Sequence, residues 1–498
     1  MTDRWPTLVP TNVVSIAEPT AWKRAVLVIP VAFVLALFAH VVIIERFPNS
    51  GDEYAYLWQA TAFASGHITA ASPEPQDAFR LNHVGDVNGK RFSKYPPGWP
   101  LLLAGGVWLG APGLVNPLLA ALALAGIYRL ACSWVGRRAA ALGTAVTATS
   151  PFFLLNAGSY HSHPSCLFAV TSLALALTWA EEQPGPVPML LAGASFGLAV
   201  LIRPYTALLL SVPLLVAFGP TLLLGPRAEG RNTTRSHGRW LSPVWFGLGG
   251  LPCLLFLLTV DRAVTGSWWL LPWTYFDASE TWGFGPYGHT FVRGVRTAIR
   301  LCGEGVLYTS FVGAILLALS AGQTVRHRRL LWVLLVAPIV GYVFWWSNGG
   351  NRYGPRFYFE ALVPFTLLVG VGLDRLTKMP RSRGYITAGA AVVAAVLVVL
   401  AVDAHRVIDA RRDLYRTVER AGLRRAVVLV TTGSGDFVRI DLTRNLPDVE
   451  RADVLYGLSR GELDREVQQA FPERSIYRYS WAPTGGTVTP LTFGNGSR

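Results

Sequence analysis

Two adjacent carboxylates, Asp52 and Glu53, follow closely on the uncharged apolar run Ala25 to Ile44. A carboxylate placed there can take a proton from a hydroxyl or hold a divalent ion, and a low-dielectric neighbourhood strengthens its interaction with any charge brought near. The same loop then supplies cations, Arg80 and the lysine of Ser93-Lys94-Tyr95-Pro96-Pro97-Gly98-Trp99-Pro100. A second basic cluster, Asn351-Arg352-Tyr353-Gly354-Pro355-Arg356, precedes a late apolar run. Guanidinium and ammonium groups converging on one spot bind an anion such as a phosphate. The loop 273–289 sets Tyr275, Asp277, Glu280 and Trp282 among glycines, a composition that suits a sugar ring and equally a membrane interface. His161 and His163 stand at i, i+2, on different faces of any helix, so polar lining of a cavity fits them better than a shared metal.

Each of these features also has a structural explanation. Ser50 with Glu53 forms a capping box for a helix running Asp52 to Ser65, with Tyr56, Leu57, Ala60 and Phe63 on its membrane side. That box does not need Asp52. Lys94 before two prolines reads as a rigid return turn with a lysine reaching to the interface. Arg356 has Glu360 at i, i+4, whereas Arg352 has no such local partner.

The positioning elements must be membrane helices. Mean hydropathy is +0.36, apolar residues make up 51% and charged residues 15%, which takes the chain outside the soluble globular range. Apolar windows near 25–44, 114–135, 139–157, 163–180, 188–203, 205–223, 242–260, 303–322, 330–347, 357–373 and 385–402 predict a polytopic α-helical membrane protein with about eleven spans. The 188–223 stretch reads either as two short spans bent at Arg203-Pro204 or as one span and a re-entrant piece. If the spans alternate, Lys23/Arg24, Arg137/Arg138, Arg227/Arg231/Arg235/Arg239, Arg326/Arg328/Arg329 and Lys378/Arg381/Arg383 share one side, and that side is the cytoplasm. The N-terminus is then cytoplasmic and the loop 45–113 external, in a multi-pass plasma-membrane protein. The net charge of +14 is explained by these loops and not by a nucleic-acid partner.

The organisation predicted is a cytoplasmic tail 1–22, a membrane domain 23–402 and an external α/β module 403–498. In the module, strands are expected at 426–430, 453–456 and around 476–479, with a helix from Ser459 capped by Glu462. Gly433-Ser434-Gly435 reads as a turn and not as a nucleotide-binding fingerprint. Asn232 and Asn495 begin Asn-x-Ser/Thr patterns, the former on the cytoplasmic side. Cys132, Cys166, Cys253 and Cys302 lie in apolar stretches with no metal or redox spacing, as buried packing residues do.

The acidic pair after the first span, Tyr95-Pro96-Pro97-Gly98 returning to the membrane, Arg203-Pro204 in mid-chain, and Arg352-Tyr353 to Pro364 before a late span resemble the GT-C fold glycosyltransferases. The likeness is to bacterial relatives of the protein O-mannosyltransferases and the lipid A aminoarabinose transferase, and it covers roughly residues 20–400. It implies a GT-C membrane domain that takes a sugar from a polyprenyl-phosphate donor to an acceptor on the outer membrane face, with inversion. It implies Asp52 as catalytic base and Glu53 as the neighbour that orients acceptor or ion. Lys94, Arg352 and Arg356 match as donor-phosphate contacts, to which Arg80 is added from its charge and loop. Tyr95, His161, His163, Tyr275, Trp282 and Tyr353 complete the candidate substrate-binding set. Membrane lipids and an acceptor protein, lipid or glycan are the other partners expected. Direct-base and metal-assisted versions, the latter with a divalent ion on Asp52 and Glu53, stay open. The main rival is a transporter or flippase of a lipid-linked saccharide. A transporter places charges at mid-depth of several spans, whereas here they gather at the outer ends.

Overall fold

The computed structural model describes residues 15–16, 18–224, 241–349, 353–431, 443–481 and 485–493. Arg352, the Gly433–Gly435 turn, the arginines at 227–239 and the Asn232 and Asn495 patterns lie outside the described residues. The chain forms two compact units. One comprises Met1–Ile43, Leu114–Leu257 and Thr281–Val402, and the other Ile44–Gly113, Leu258–Glu280 and Asp403–Arg498.

The chain is mainly helical, and the apolar windows coincide with helices. Among the described residues six helices are long and apolar enough to cross a membrane: Lys23–Ile43, Pro112–Trp134, His163–Glu182, Ser242–Thr265, Arg356–Leu376 and Ser382–Arg420. The number rises to eight if each of two bent pairs is one span. Length and hydropathy therefore do not yield the eleven expected, because several windows are interrupted. Arg137–Thr149 and Pro151–Gly158 meet at 60°. Ser150 leaves helical geometry there, its hydroxyl accepts from Phe153 N at 3.2 Å, and Pro151 starts a new helix. Phe291–Tyr308 and Val312–Ser320 meet at 101° across Ser310 and Phe311, both left-handed at φ +62° and +58°. The 188–223 stretch is two helices, Pro186–Ile202 and Pro204–Leu224, broken where Pro204 disfavours a helical Arg203.

In the first unit the helices Arg137–Thr149 and Leu362–Leu376 approach backbone to backbone. A Cβ on Gly143 would stand 2.1 Å from the Thr366 carbonyl oxygen, and one on Gly370 would stand 2.2 Å from that of Ala139. Small residues permit this contact where no hydrophobic force drives helices together in lipid. At one end of the same unit, basic loops find acidic partners: Arg137 with Glu18 at 2.7 Å, Arg138 with Asp374 at 2.9 Å, and Arg326 with Glu181 at 2.6 Å.

The second unit carries the helix Gly51–Ala64 and two sheets. Ala70–Ala71, Lys90–Ser93 and Val84–Val87 form an antiparallel sheet in that spatial order. Val454–Ser459, Ala426–Thr431 and Ser475–Ser480 run parallel, and Thr487–Pro490 adds an antiparallel edge. The core under this second sheet joins Ala78 and Phe79 of the first loop to Val427, Leu429, Leu455, Val467 and Ile476. The helix Glu462–Ala470 is not capped by Ser459 and Glu462 as expected. Gly461 is its N-cap, and Asp464 instead accepts from the Ser459 hydroxyl at 2.8 Å and from Arg460 N at 3.1 Å. Cys132 and Cys166 are buried and Cys253 and Cys302 half-buried, all with free thiols.

Candidate active site

The helix Gly51–Ala64 begins with the expected box. Ser50 is the N-cap and accepts from Glu53 N at 3.2 Å. The Glu53 carboxylate reaches back to Asn49 N at 2.9 Å and accepts from the Ser50 hydroxyl at 3.1 Å. Arg411 donates to the Asn49 carbonyl at 2.9 Å, and Arg444 to that of Pro48. Glu53 is fully buried. The expected outward side of this helix is partly enclosed, since Tyr56 and Ala60 are buried and Tyr56 packs on Tyr95 with ring centres 4.6 Å apart. Tyr54 donates to the Asn445 carbonyl at 2.7 Å, and burial holds its phenol far above the ordinary range, so it stays a donor.

Asp52 is placed differently. Its side chain keeps 16% of its exposure, its Oδ1 accepts from the Tyr95 hydroxyl, and His83 Nε2 lies 3.3 Å from the same oxygen. The two prolines after Tyr95 fix the turn that brings its ring back to the helix N-terminus. His83 arrives through the hairpin: Val84 pairs with Ser93, and Lys94 N donates to the His83 carbonyl at 3.1 Å. The hairpin itself is held by Arg91, whose Nε lies 2.6 Å from Asp86 Oδ1 and whose Nη2 donates to the Phe79 carbonyl at 2.9 Å.

Lys94 is buried and its ammonium meets Glu280 at 2.5 Å, with the Tyr95 and Phe276 rings 5.6 and 5.3 Å away. Tyr275 stacks on Phe92 and accepts from Asn88 at 3.1 Å. The Arg80 side chain is exposed, and its carbonyl accepts from Thr443 at 3.3 Å.

In the first unit a second polar cluster forms where the chain leaves helical geometry at 159–162. Arg356 Nη1 lies 2.9 Å from His161 Nδ1, and its Nε donates to the Gly349 carbonyl. His163 Nδ1 and Arg203 Nε stand 3.2 and 3.3 Å from the fully buried Glu360. The sequence spacing suggests Arg356 as the partner of Glu360, but Arg356–Ala361 is a 3₁₀ helix, in which residues four apart leave the shared face. Tyr353 adopts φ +59°, and its ring lies 5.9 Å from that of His161. Trp282 is 59% exposed and stacks on Phe344 at 5.4 Å.

The acidic pair does not suit a two-carboxylate ion site. Glu53 spends its carboxylate on the backbone it caps and is fully buried, while Asp52 receives a hydroxyl donor and faces an imidazole. Among the described residues no group of three or more His, Cys, Asp or Glu side chains is arranged to hold a metal. Sequence reasoning overlooked His83, a lone histidine in an unpatterned loop, and the partners of Glu280 and Glu360, which are remote in sequence.

Residues 113–255 match the family of dolichyl-phosphate-mannose-protein mannosyltransferases. That segment contains His161, His163 and Arg203 and stops short of Asp52 and Lys94. The fold is similar to that of ArnT from Cupriavidus metallidurans bound to undecaprenyl phosphate, with a TM-score of 0.54, 14% identity, and 93% of this chain and 94% of that one covered. The apo form of the same protein gives 0.53 at the same identity and coverage. No curated protein sequence matches. The likeness across the chain is one of fold, the family match covers residues 113–255, and both agree with the GT-C resemblance read from the sequence.

Proposed function

We propose that this protein is a glycosyltransferase that moves a sugar from a polyprenyl-phosphate-linked donor to an acceptor hydroxyl at the outer face of the plasma membrane, with inversion. The observation that carries the reading is Asp52, a partly exposed carboxylate at a helix N-terminus with a phenol hydroxyl and an imidazole on one oxygen. The undecaprenyl phosphate bound by the structurally similar ArnT supports the donor class. Asp52 takes the acceptor proton as the acceptor oxygen bonds to the anomeric carbon and the carbon–oxygen bond to phosphate breaks. A single displacement inverts the centre. Lys94 offers a cation to the departing phosphate once that phosphate competes with Glu280 for it, and Arg80, Arg352 and Arg356 are the further cations proposed for the donor. Tyr95, Tyr275, Trp282, Tyr353, His161 and His163 are the proposed sugar and acceptor surfaces. Glu53 acts through the backbone, holding the first turn on which Asp52 stands.

The test is turnover by the full chain in lipid nanodiscs with a panel of polyprenyl-phosphate sugars, read as release of polyprenyl phosphate. Asp52→Asn should bind donor normally and lose about 10²- to 10⁴-fold in transfer, the usual worth of a general base. Wild-type rates in a folded Asp52→Asn protein remove the base. Failure to turn over any donor, with passage of lipid-linked saccharide across proteoliposome membranes, supports the transporter reading instead.

A further inference from the structure

A side chain beside Asp52 that no sequence pattern marks is His83. Its ring is 25% exposed, its Nε2 is 3.3 Å from Asp52 Oδ1, and the ring stands edge-on to Tyr95 with centres 5.5 Å apart. Its backbone adopts φ +61°. Left-handed geometry is uncommon for residues with a Cβ, though histidine tolerates it better than most. A position that needed only the turn would be served at lower strain by glycine, as Gly89 serves the same hairpin at φ +73°. Strain of this kind persists where the surroundings impose it, and it concentrates at functional sites. Two further contacts impose it here: Lys94 N donates to the His83 carbonyl at 3.1 Å, and Val84 enters the sheet opposite Ser93.

We propose that His83 is a positioning residue for Asp52. With the proton on Nε2, the tautomer that a carboxylate partner selects, the imidazole donates to Oδ1 beside the Tyr95 hydroxyl. Two donors from two different segments on one oxygen stop rotation of the carboxylate and leave it in one orientation toward the acceptor. Tyr95 comes from the return turn and His83 from the hairpin, so together they fix the plane of the group, which one donor alone leaves free. A base held this way reacts without first reorganising, and misplacement of a reacting group by about 1 Å can cost about 10²-fold in rate. The inference rests on Asp52 acting as the base.

The left-handed backbone makes the test sharp, because His83→Gly removes the ring and relieves the geometry together. The full chain in nanodiscs should show an unchanged or raised melting temperature, a kcat lower by about 10- to 100-fold, and a donor KM within about threefold of wild type. Free imidazole should restore part of the lost rate by refilling the vacated space, and His83→Asn, which also tolerates φ > 0 and carries an N–H donor, should fall between the two. Wild-type kcat in His83→Gly overturns the proposal. So does loss of rate that tracks a fall in melting temperature and resists imidazole, since that is a structural histidine. Asp52→Asn in the same assay separates the failures. If it is inactive while His83→Gly is normal, only His83 loses its role, whereas full activity of Asp52→Asn removes the base and this inference with it.

Discussion

Asp52 and Glu53 adjoin in sequence, yet one carboxylate stays partly exposed between a phenol and an imidazole while the other is sealed against the backbone it caps. Glu53→Gln keeps an acceptor for Asn49 N and should stay near wild type in stability. Glu53→Ala leaves buried donors unmet and should cost about 1–3 kcal/mol, seen as a lower melting temperature, with a reduced kcat per folded molecule as the turn under Asp52 loosens. An alanine variant as stable as wild type sinks the capping role. Lys94 and Glu280 allow a second comparison. Removing either partner alone leaves a buried charge and should destabilise by about 3–5 kcal/mol, while Lys94→Met with Glu280→Met together should restore most of the stability. If Lys94 reads the donor phosphate, the restored double variant still binds donor weakly, and normal binding there assigns Lys94 to structure alone. Asp52 was legible because acids directly after a span are conspicuous, and Ser50-Gly51-Asp52-Glu53 spells its own cap. His83 was not legible, since its place depends on hairpin register, and Glu280 was not, since it lies 186 residues from its lysine.

Among the elements, apolar windows found the helices, and the sequence offered the break at Arg203-Pro204 but missed two others. A window averages over Ser150-Pro151 and over the left-handed Ser310-Phe311, where local backbone geometry turns the chain. The same limit appears at Glu462–Ala470, where a correct capping rule was outcompeted by Asp464 two residues further on. Spacing also failed at Arg356–Ala361, because nothing local announces a 3₁₀ helix. The packing of Arg137–Thr149 on Leu362–Leu376 yields its own prediction. Gly370→Ala puts a methyl against the Ala139 carbonyl and should force the helices apart, at about 1–3 kcal/mol, read as a lower melting temperature in detergent. Gly384→Ala, at an open site, serves as the control and should be neutral or mildly stabilising. Equal behaviour of the two variants contradicts the close approach.

For the molecule as a whole, charge bias in the loops predicts a topology, and the structure pairs Glu18 with Arg137, Asp374 with Arg138 and Glu181 with Arg326. We expect single cysteines at Arg329, Lys90 and Arg465 in a cysteine-free background to divide by side. Position 329 should react with an impermeant maleimide only after the membrane is opened, and 90 and 465 in intact cells. Labelling of 329 from outside reverses the orientation and moves the proposed chemistry to the cytoplasm. Three of the four strands in the tail's sheet were visible in the sequence, and the edge strand Thr487–Pro490 was not. That Phe79 belongs to their core was not, since no local pattern links a loop residue to strands more than three hundred positions later.

That shared core has a consequence for biogenesis. A ribosome adding about 5–20 residues per second needs about 20–70 s to cover the about 350 residues between Phe79 and the strand Ala426–Thr431. Through that interval the loop bearing Asp52 has been made while the apolar surface of Ala78 and Phe79 has nothing to close on. Chaperones and proteases that patrol nascent membrane proteins meet it in this state. A message cut short before Ala426 would leave the loop bearing Asp52 without the strands on which its Ala78 and Phe79 pack.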